Sequence, residues 1–330
     1  MSERARVYVG VAAAAVVAAA LVVATVAFTR TSTGGGGSPH AQQQTAKHPG
    51  GPPPLELDLG VRTDPEAIAL RRANALYDRG ERAAAARVFA RYHSLPAQLG
   101  AAIATWPNRT QARLEALARA HPRSASVLLH LGLVRFWRGD PNGADEAWRD
   151  AVARDPDTAS AVRADDFLHP TFPRGLPEFT PDFPTPARIV RLSPPLQIAA
   201  LRAAAVRPDV HAKLLYGLAL QRLGKPVSAE REFAEAAALA PNDPEALTAA
   251  AVGKFSKSDP ARAFSQLGPL ARRFPRSATV RLHLGKLLLW LVRVKQAERE
   301  LALARRYGRG TIAGREANAF LQRLRSVRTS

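Results

Sequence analysis

The chain has 330 residues, of which 46% are hydrophobic but only 6% aromatic, and a formal net charge of +19. No cysteine is present, which excludes disulfides, thiolate metal sites and cysteine nucleophiles together. Only seven of the 47 basic residues are Lys, so the charge follows an Ala- and Arg-rich composition, and where it sits matters more than its total.

Residues 7–28 form an apolar run of 22 residues, mostly Ala and Val. At 1.5 Å per residue it spans roughly 33 Å, enough for a bilayer core. It is longer than the apolar region of a secretory signal, roughly 7–15 residues, which favours a retained transmembrane signal-anchor helix. Cleavage after Thr25-Val26-Ala27 is the alternative. Arg4 and Arg6 outweigh Glu3 before the run, against Arg30 alone just after it. The positive-inside rule then predicts residues 1–6 in the cytoplasm, a single pass through the cell membrane, and the rest extracytoplasmic. Residues 29–63 read as a Gly/Pro-rich flexible linker, with four glycines at 34–37 and the run Gly50-Gly51-Pro52-Pro53-Pro54. At its end Leu55, Leu57 and Leu59 alternate with acids, the pattern of a short extended lead-in.

From Asp64 the apolar residues recur at helical spacing, and Asp64-Pro65-Glu66 supplies a cap, a first turn and a dipole partner. Ala73, Gly80, Ala85 and Phe89 mark a first helical pair. A shortened unit follows over 96–124 with Pro107-Asn108 as its turn, then a cleaner one over 125–158 with Gly132, Gly139, Ala144, Trp148, Ala151 and Pro156. Residues 159–209 read as an interrupted unit. Helices over 157–168 and 195–206 flank an insertion at 169–194 that carries seven prolines and Phe172, Phe179 and Phe183. An irregular segment of that length inside a helical array is either functional or disordered. Its phenylalanines favour burial, which predicts partial order against the helices, with one of the three occupying their concave face. Three contiguous units then begin at Val210, Pro244 and Ala278 and occupy 210–311. A capping helix and tail end the chain at 312–330, with Ala313, Ala317, Phe320, Leu321 and Leu324 at helical spacing.

The stretch from Val210 to Asp243 carries the pattern most fully. Small residues at Gly217 and Ala229 let two helices cross closely, Phe233 fills the gap, Gly224 breaks the run and Pro241 stops it. Counted from Val210, this resembles the 34-residue tetratricopeptide repeat, with the small slots 8, 20 and 27, the aromatic slot 24 and the proline slot 32 all filled. Lys213 stands where that family has Trp. The resemblance covers roughly 66–311 and implies an all-α fold, a right-handed superhelical solenoid of helix–turn–helix repeats, here preceded by one transmembrane helix. It also implies a concave groove lined by helix A slots 2, 5, 9, 12 and 13. Those slots hold Tyr77, Leu129, Leu133, Phe136, Trp137, His211, Leu218, Phe255, Lys286, Leu289 and Trp290. Such an aromatic groove suits an extended or helical segment of a partner protein. The layout is similar to that of bacterial membrane-tethered repeat proteins serving envelope assembly, protein export or maturation.

A second internal match runs from Pro122 through His130 to Gly132 and reappears from Pro275 through His283 to Gly285. The two histidines share slot 6 and read as copies of one packing residue, too far apart along a solenoid to share a metal. No His-Glu-x-x-His, Gly-x-Ser-x-Gly, Walker or Rossmann pattern occurs, so neither an enzyme nor a cofactor is expected. Charge collects at the C-terminal end. Residues 271–330 hold 15 Lys and Arg against three acids, among them Arg272, Arg273, Arg305, Arg306, Arg309, Arg315, Arg323 and Arg328. An alternative reading is therefore an electrostatic binder of anionic lipid or cell-wall polymer through this end. Aromatic interleaving there is poor, which disfavours nucleic acid.

Overall fold

A computed structural model describes residues 50–329, and the segments expected as cytoplasmic N-terminus, transmembrane helix and most of the linker lie outside them. Among the described residues no helix is long and apolar enough to cross a membrane. Sixteen helices are found there and no strand. The first half holds α1 (Pro65–Asp78), α2 (Arg82–Phe89), α3 (Leu95–Ala104), α4 (Thr110–Ala120), α5 (Ala125–Trp137), α6 (Pro141–Arg154) and α7 (Ala159–Leu168). After the insertion come α8 (Ala187–Val190), α9 (Pro194–Ala205), α10 (Val210–Arg222), α11 (Pro226–Leu239), α12 (Pro244–Gly253) and α13 (Ala261–Arg273). The array ends with α14 (Ala278–Trp290), α15 (Val294–Tyr307) and α16 (Ile312–Thr329).

Local chemistry sets the boundaries. The side chains of Asp64, Ser124, Thr158, Asp209, Asp243 and Ser277 each accept a backbone N–H in the first turn of the helix that follows. Each removes one of the unpaired donors at a helix start. Gly224 takes φ +68°, which turns α10 into α11 without the strain a side chain would bring. Consecutive helices pack as antiparallel pairs, most extensively α5 with α6, α10 with α11 and α14 with α15. At the tightest crossing a Cβ on Gly217 would sit 2.4 Å from the Phe233 ring, and on Gly132 2.3 Å from the Trp148 indole. The absent side chain is what admits the aromatic.

The core is a chain of clusters, as expected when each hairpin touches only its neighbours. It is interrupted once. The helices expected over 157–168 and 195–206 do not pair with each other: α7 packs on α5 and α6, and α9 on α8 and α10. The reason lies in the insertion, whose side chains are buried against the second half and hold the two helices apart. The halves meet instead through the buried ion pair of Lys257 with Asp166 of α7 and through contacts at their turns. The Ser228 N–H and hydroxyl donate to the Asp157 carboxylate at 2.9 and 2.6 Å, and Gly224 lies against Ala159.

The linker expected to reach residue 63 ends earlier. Leu55 and Leu59 are 4% and 6% exposed and belong to the core of α1 to α5, because their alternation presents one apolar edge. The insertion also contains the short helix α8, whose Ile189 is buried against Leu201 and Leu215.

Candidate functional site

In each half alternate helices of the array, α1, α5 and α7 and then α10, α12 and α14, share one face, and each face carries a segment of the chain that has no regular secondary structure. In the first half this is the run 53–59. Pro53, Leu55 and Leu59 are buried, and the Pro53 carbonyl accepts from the Tyr77 hydroxyl of α1 at 2.5 Å. Burial pushes that phenol up to about 12. The Glu56 N–H donates to His130 Nε2 of α5 at 3.1 Å, and its carboxylate receives the Arg163 Nε of α7 at 2.8 and 3.0 Å.

In the second half the segment is 172–183. Phe179 is fully buried, stacked on the His283 ring at 5.1 Å and edge-on to Phe233 at 5.5 Å. Its N–H donates to Gln221 Oε1 of α10 at 3.0 Å. The next amide, of Thr180, donates to His283 Nε2 of α14 at 2.8 Å. Lys286 Nζ donates to the Glu178 carbonyl at 2.8 Å and to Thr180 Oγ1 and Glu316 at 3.0 Å. The Asp182 N–H donates to Glu245 of α12, and the Asp182 carboxylate accepts from the Ala313 N–H in the first turn of α16 at 2.9 Å. Phe172 lies edge-on to Phe255 at 6.4 Å, and Phe183 to His211 at 4.4 Å.

The two histidines are in one protonation state for one reason. Nδ1 of His130 and of His283 lies 2.7 and 2.8 Å from the carbonyl of Ser126 and of Thr279, four residues back. A carbonyl only accepts, so Nδ1 carries the hydrogen, and Nε2 is left to accept the segment's amide. Burial lowers the pKa of both rings; for His283, with Lys286 adding to burial, the value falls to about 3. Around them, burial and the neighbouring Asp243 and Asp182 raise Glu245 to about 7 against the opposing Asp182 N–H bond. Burial would raise Glu316 as well, but the Lys286 ammonium outweighs it and holds the carboxyl below its usual range.

Of the sequence-predicted groove residues, Tyr77, His211, Phe255, Lys286 and Trp290 line these two faces, with Phe255 and Trp290 edge-on at 5.3 Å. Leu289 is half-buried beside them. Leu129, Leu133 and Leu218 present no surface to a partner. The first two are fully buried among Ala144, Trp148 and Ala161, and Leu218 is 5% exposed, although Lys286, in the same slot as Leu133 and Leu218, reaches the docked segment. Phe136 and Trp137 are half-buried, 5.8 Å apart edge to face, beside the stacked pair Trp148 and Phe167. Gln221 and Glu245 occupy groove slots 12 and 2 of the repeats that begin at Val210 and Pro244, whereas Glu316 on the capping helix and Arg163 in the interrupted unit lie outside the regular repeats. The shared slot of His130 and His283, polar within an otherwise apolar helix, is the sequence signal for that pair.

The basic residues stand elsewhere. Arg272 and Arg273 end α13, Arg305 and Arg306 end α15, Arg309 follows, and Arg315 and Arg323 lie on α16, all exposed. The Arg328 side chain lies outside what is described. Those in last turns face the partial negative charge of a helix C-terminus. Arg273 also donates to Asn242, and Arg315 to the Gly310 carbonyl at 2.7 Å. Among the described residues no cluster of His, Asp or Glu is placed to hold a metal ion.

No family model matches the chain, and no curated protein does. Among solved structures, a tetratricopeptide repeat protein from Parabacteroides merdae is similar over 78% of this chain and 98% of its own, at 13% identity and a TM-score of 0.33. Yeast Tom70 is similar over 78% of this chain, which spans 47% of Tom70, at 13% identity and a TM-score of 0.31. The TPR2AB domain of yeast Sti1, in complex with pHSP90, is similar over 78% of this chain and 97% of its own at 12% identity and a TM-score of 0.29. These are likenesses of helical fold alone, and the reading of the grooves rests on the hydrogen bonds and burial described above.

Proposed function

We propose that this protein is a membrane-tethered scaffold whose concave faces dock extended segments of a partner polypeptide, outside the cytoplasm, in envelope assembly or protein export and maturation. One observation carries the docking. Both faces hold chain without helix or strand through backbone hydrogen bonds, at His130 and at Gln221, His283 and Lys286. Backbone bonds give affinity and the pockets between them give selectivity, which is how extended peptides are recognised. The apolar run 7–28 and its basic flank support the tether and its orientation.

A photo-crosslinking residue at Trp137, at the edge of the first face, is expected to form an adduct with a separate polypeptide in cells. Adducts confined to the chain itself would count against a docked partner. A reporter active only in the cytoplasm, fused after Ser330, is expected to be silent, and strong activity would reverse the orientation. The exposed arginines from Arg272 to Arg323 support a second reading, an anionic surface held at that end. Attachment there should fade steeply between low and physiological salt, whereas peptide docking should not.

A further inference from the structure

The two docked segments share a pattern. Aligned on the amide given to histidine, 53–59 reads Pro-Pro-Leu-Glu-Leu-Asp-Leu and 177–183 reads Pro-Glu-Phe-Thr-Pro-Asp-Phe. Proline stands first in both, and Pro53 and Pro177 are both buried. The third residue is the deepest apolar anchor, Leu55 at 4% and Phe179 at 0% exposure. The fourth gives its N–H to Nε2, and the seventh is apolar again, Leu59 buried and Phe183 half-buried on His211. Odd positions inward is the habit of extended chain. Aspartate recurs sixth, but Asp58 is exposed while Asp182 caps α16, so it is no part of the shared contact. The segments lie 74 and 103 residues before their histidines, so a single duplication of segment plus groove does not account for the match. Two unequal stretches of chain meet the same demand from two copies of one helix.

We infer that each face reads the sequence Pro-x-Φ-x-x-x-Φ, Φ being a large apolar residue, with the fourth amide accepted by the slot-6 histidine, and that the partner carries this sequence in an extended segment. The inference rests on the docking reading above and names its ligand. The fourth side chain separates the two faces. Glutamate there meets Arg163 at 2.8 Å in the first, while a hydroxyl meets Lys286 at 3.0 Å and Glu316 at 3.2 Å in the second. The chain's own segments hold the sites until a partner with the same sequence replaces them, so the intact protein binds more weakly than its grooves allow.

Fluorescent peptides of residues 53–59 and 177–183 are titrated into the full chain and into Thr180→Pro, which has no amide for His283. The 177–183 peptide is expected to bind the variant at least tenfold more tightly than the wild type. N-methylation of its fourth residue should lose at least tenfold. Equal binding of the N-methylated or a scrambled peptide overturns the pattern and leaves general peptide docking standing. Absence of binding by every peptide to the folded variant overturns both. Concentration-dependent dimerisation of the wild type by segment exchange assigns the site to a second copy and overturns the partner. If the variant does not fold, the wild type decides through long-range proton–nitrogen correlation at neutral pH. His130 and His283 are expected as Nδ1–H tautomers, and an Nε2–H signal at either overturns the inference.

Discussion

Gly217 and Phe233 are one decision made by two residues. The ring is fully buried because the facing helix offers no Cβ, and a methyl there would meet it at 2.4 Å. Gly217→Ala should therefore lower stability by about 1–3 kcal/mol, although Ala favours helix, and a thermal midpoint that rises would contradict the crossing. Titration works at the same scale. His283 is neutral in the fold, with its pKa lowered to about 3 from 6.5, so its contribution is complete above 6.5 and is lost as pH falls below it. Glu245, raised to about 7 from 4.5, has the opposite sign: the fold binds its proton more tightly, so stability falls as pH rises from 4.5 to 7. In melts from pH 7 to 5, His283→Gln should reduce the acid-side loss, leaving the part due to His130, whereas Glu245→Gln should make that loss steeper. Parallel shifts in both variants would sink the assignment.

Among elements, α16 does more than cover the last repeat. Ala313, Ala317, Leu321 and Leu324 close the core of α14 and α15, while its first turn is capped by Asp182 and its Glu316 meets Thr180 and Lys286. The insertion is thus held partly by the end of the chain. Removing 312–330 should cost about 3–6 kcal/mol from Leu321 and Leu324 alone, as an upper estimate. It should also free the insertion. Limited proteolysis is expected to cut within 170–186 at least tenfold faster in the truncated protein, and an unchanged rate would separate the two elements. The slot count places α10, α12 and α14 at Val210, Pro244 and Ala278, where the structure has them. It does not show that α7 and α9 part company, because helical periodicity records which face is apolar and not which helix will cover it.

For the whole molecule, the break in the core between α7 and α10 matters most. The halves are joined by the insertion, by turn contacts such as Asp157 with Ser228, and by the buried ion pair of Lys257 with Asp166 of α7. Units that do not share an apolar core need not unfold together. Trp106, Trp137 and Trp148 lie in the first half and Trp290 alone in the second, which makes fluorescence a ready reporter. Urea unfolding of Trp290→Phe should report the first half and the triple variant at 106, 137 and 148 the second, with midpoints that differ. Asp157→Ala, which uncaps α11, should lower the stability of the second half by about 1 kcal/mol. Coincident midpoints in every variant would show a single cooperative unit.

By itself the sequence determined the helical array and its close crossings, though not α8, since Gly132, Gly217, the capping acids and hydroxyls, and Pro226 and Pro244 act within a turn or two of themselves. It also marked His130 and His283 as equivalent, because they share one slot. Only the tertiary structure decided what they do. A buried imidazole needs a donor for Nε2, and the donors come from Glu56 and Thr180, which no periodicity ties to their partners. Hydrogen bonds between distant, irregular segments depend on where a whole array carries its concave face, and that is a property of the packed solenoid.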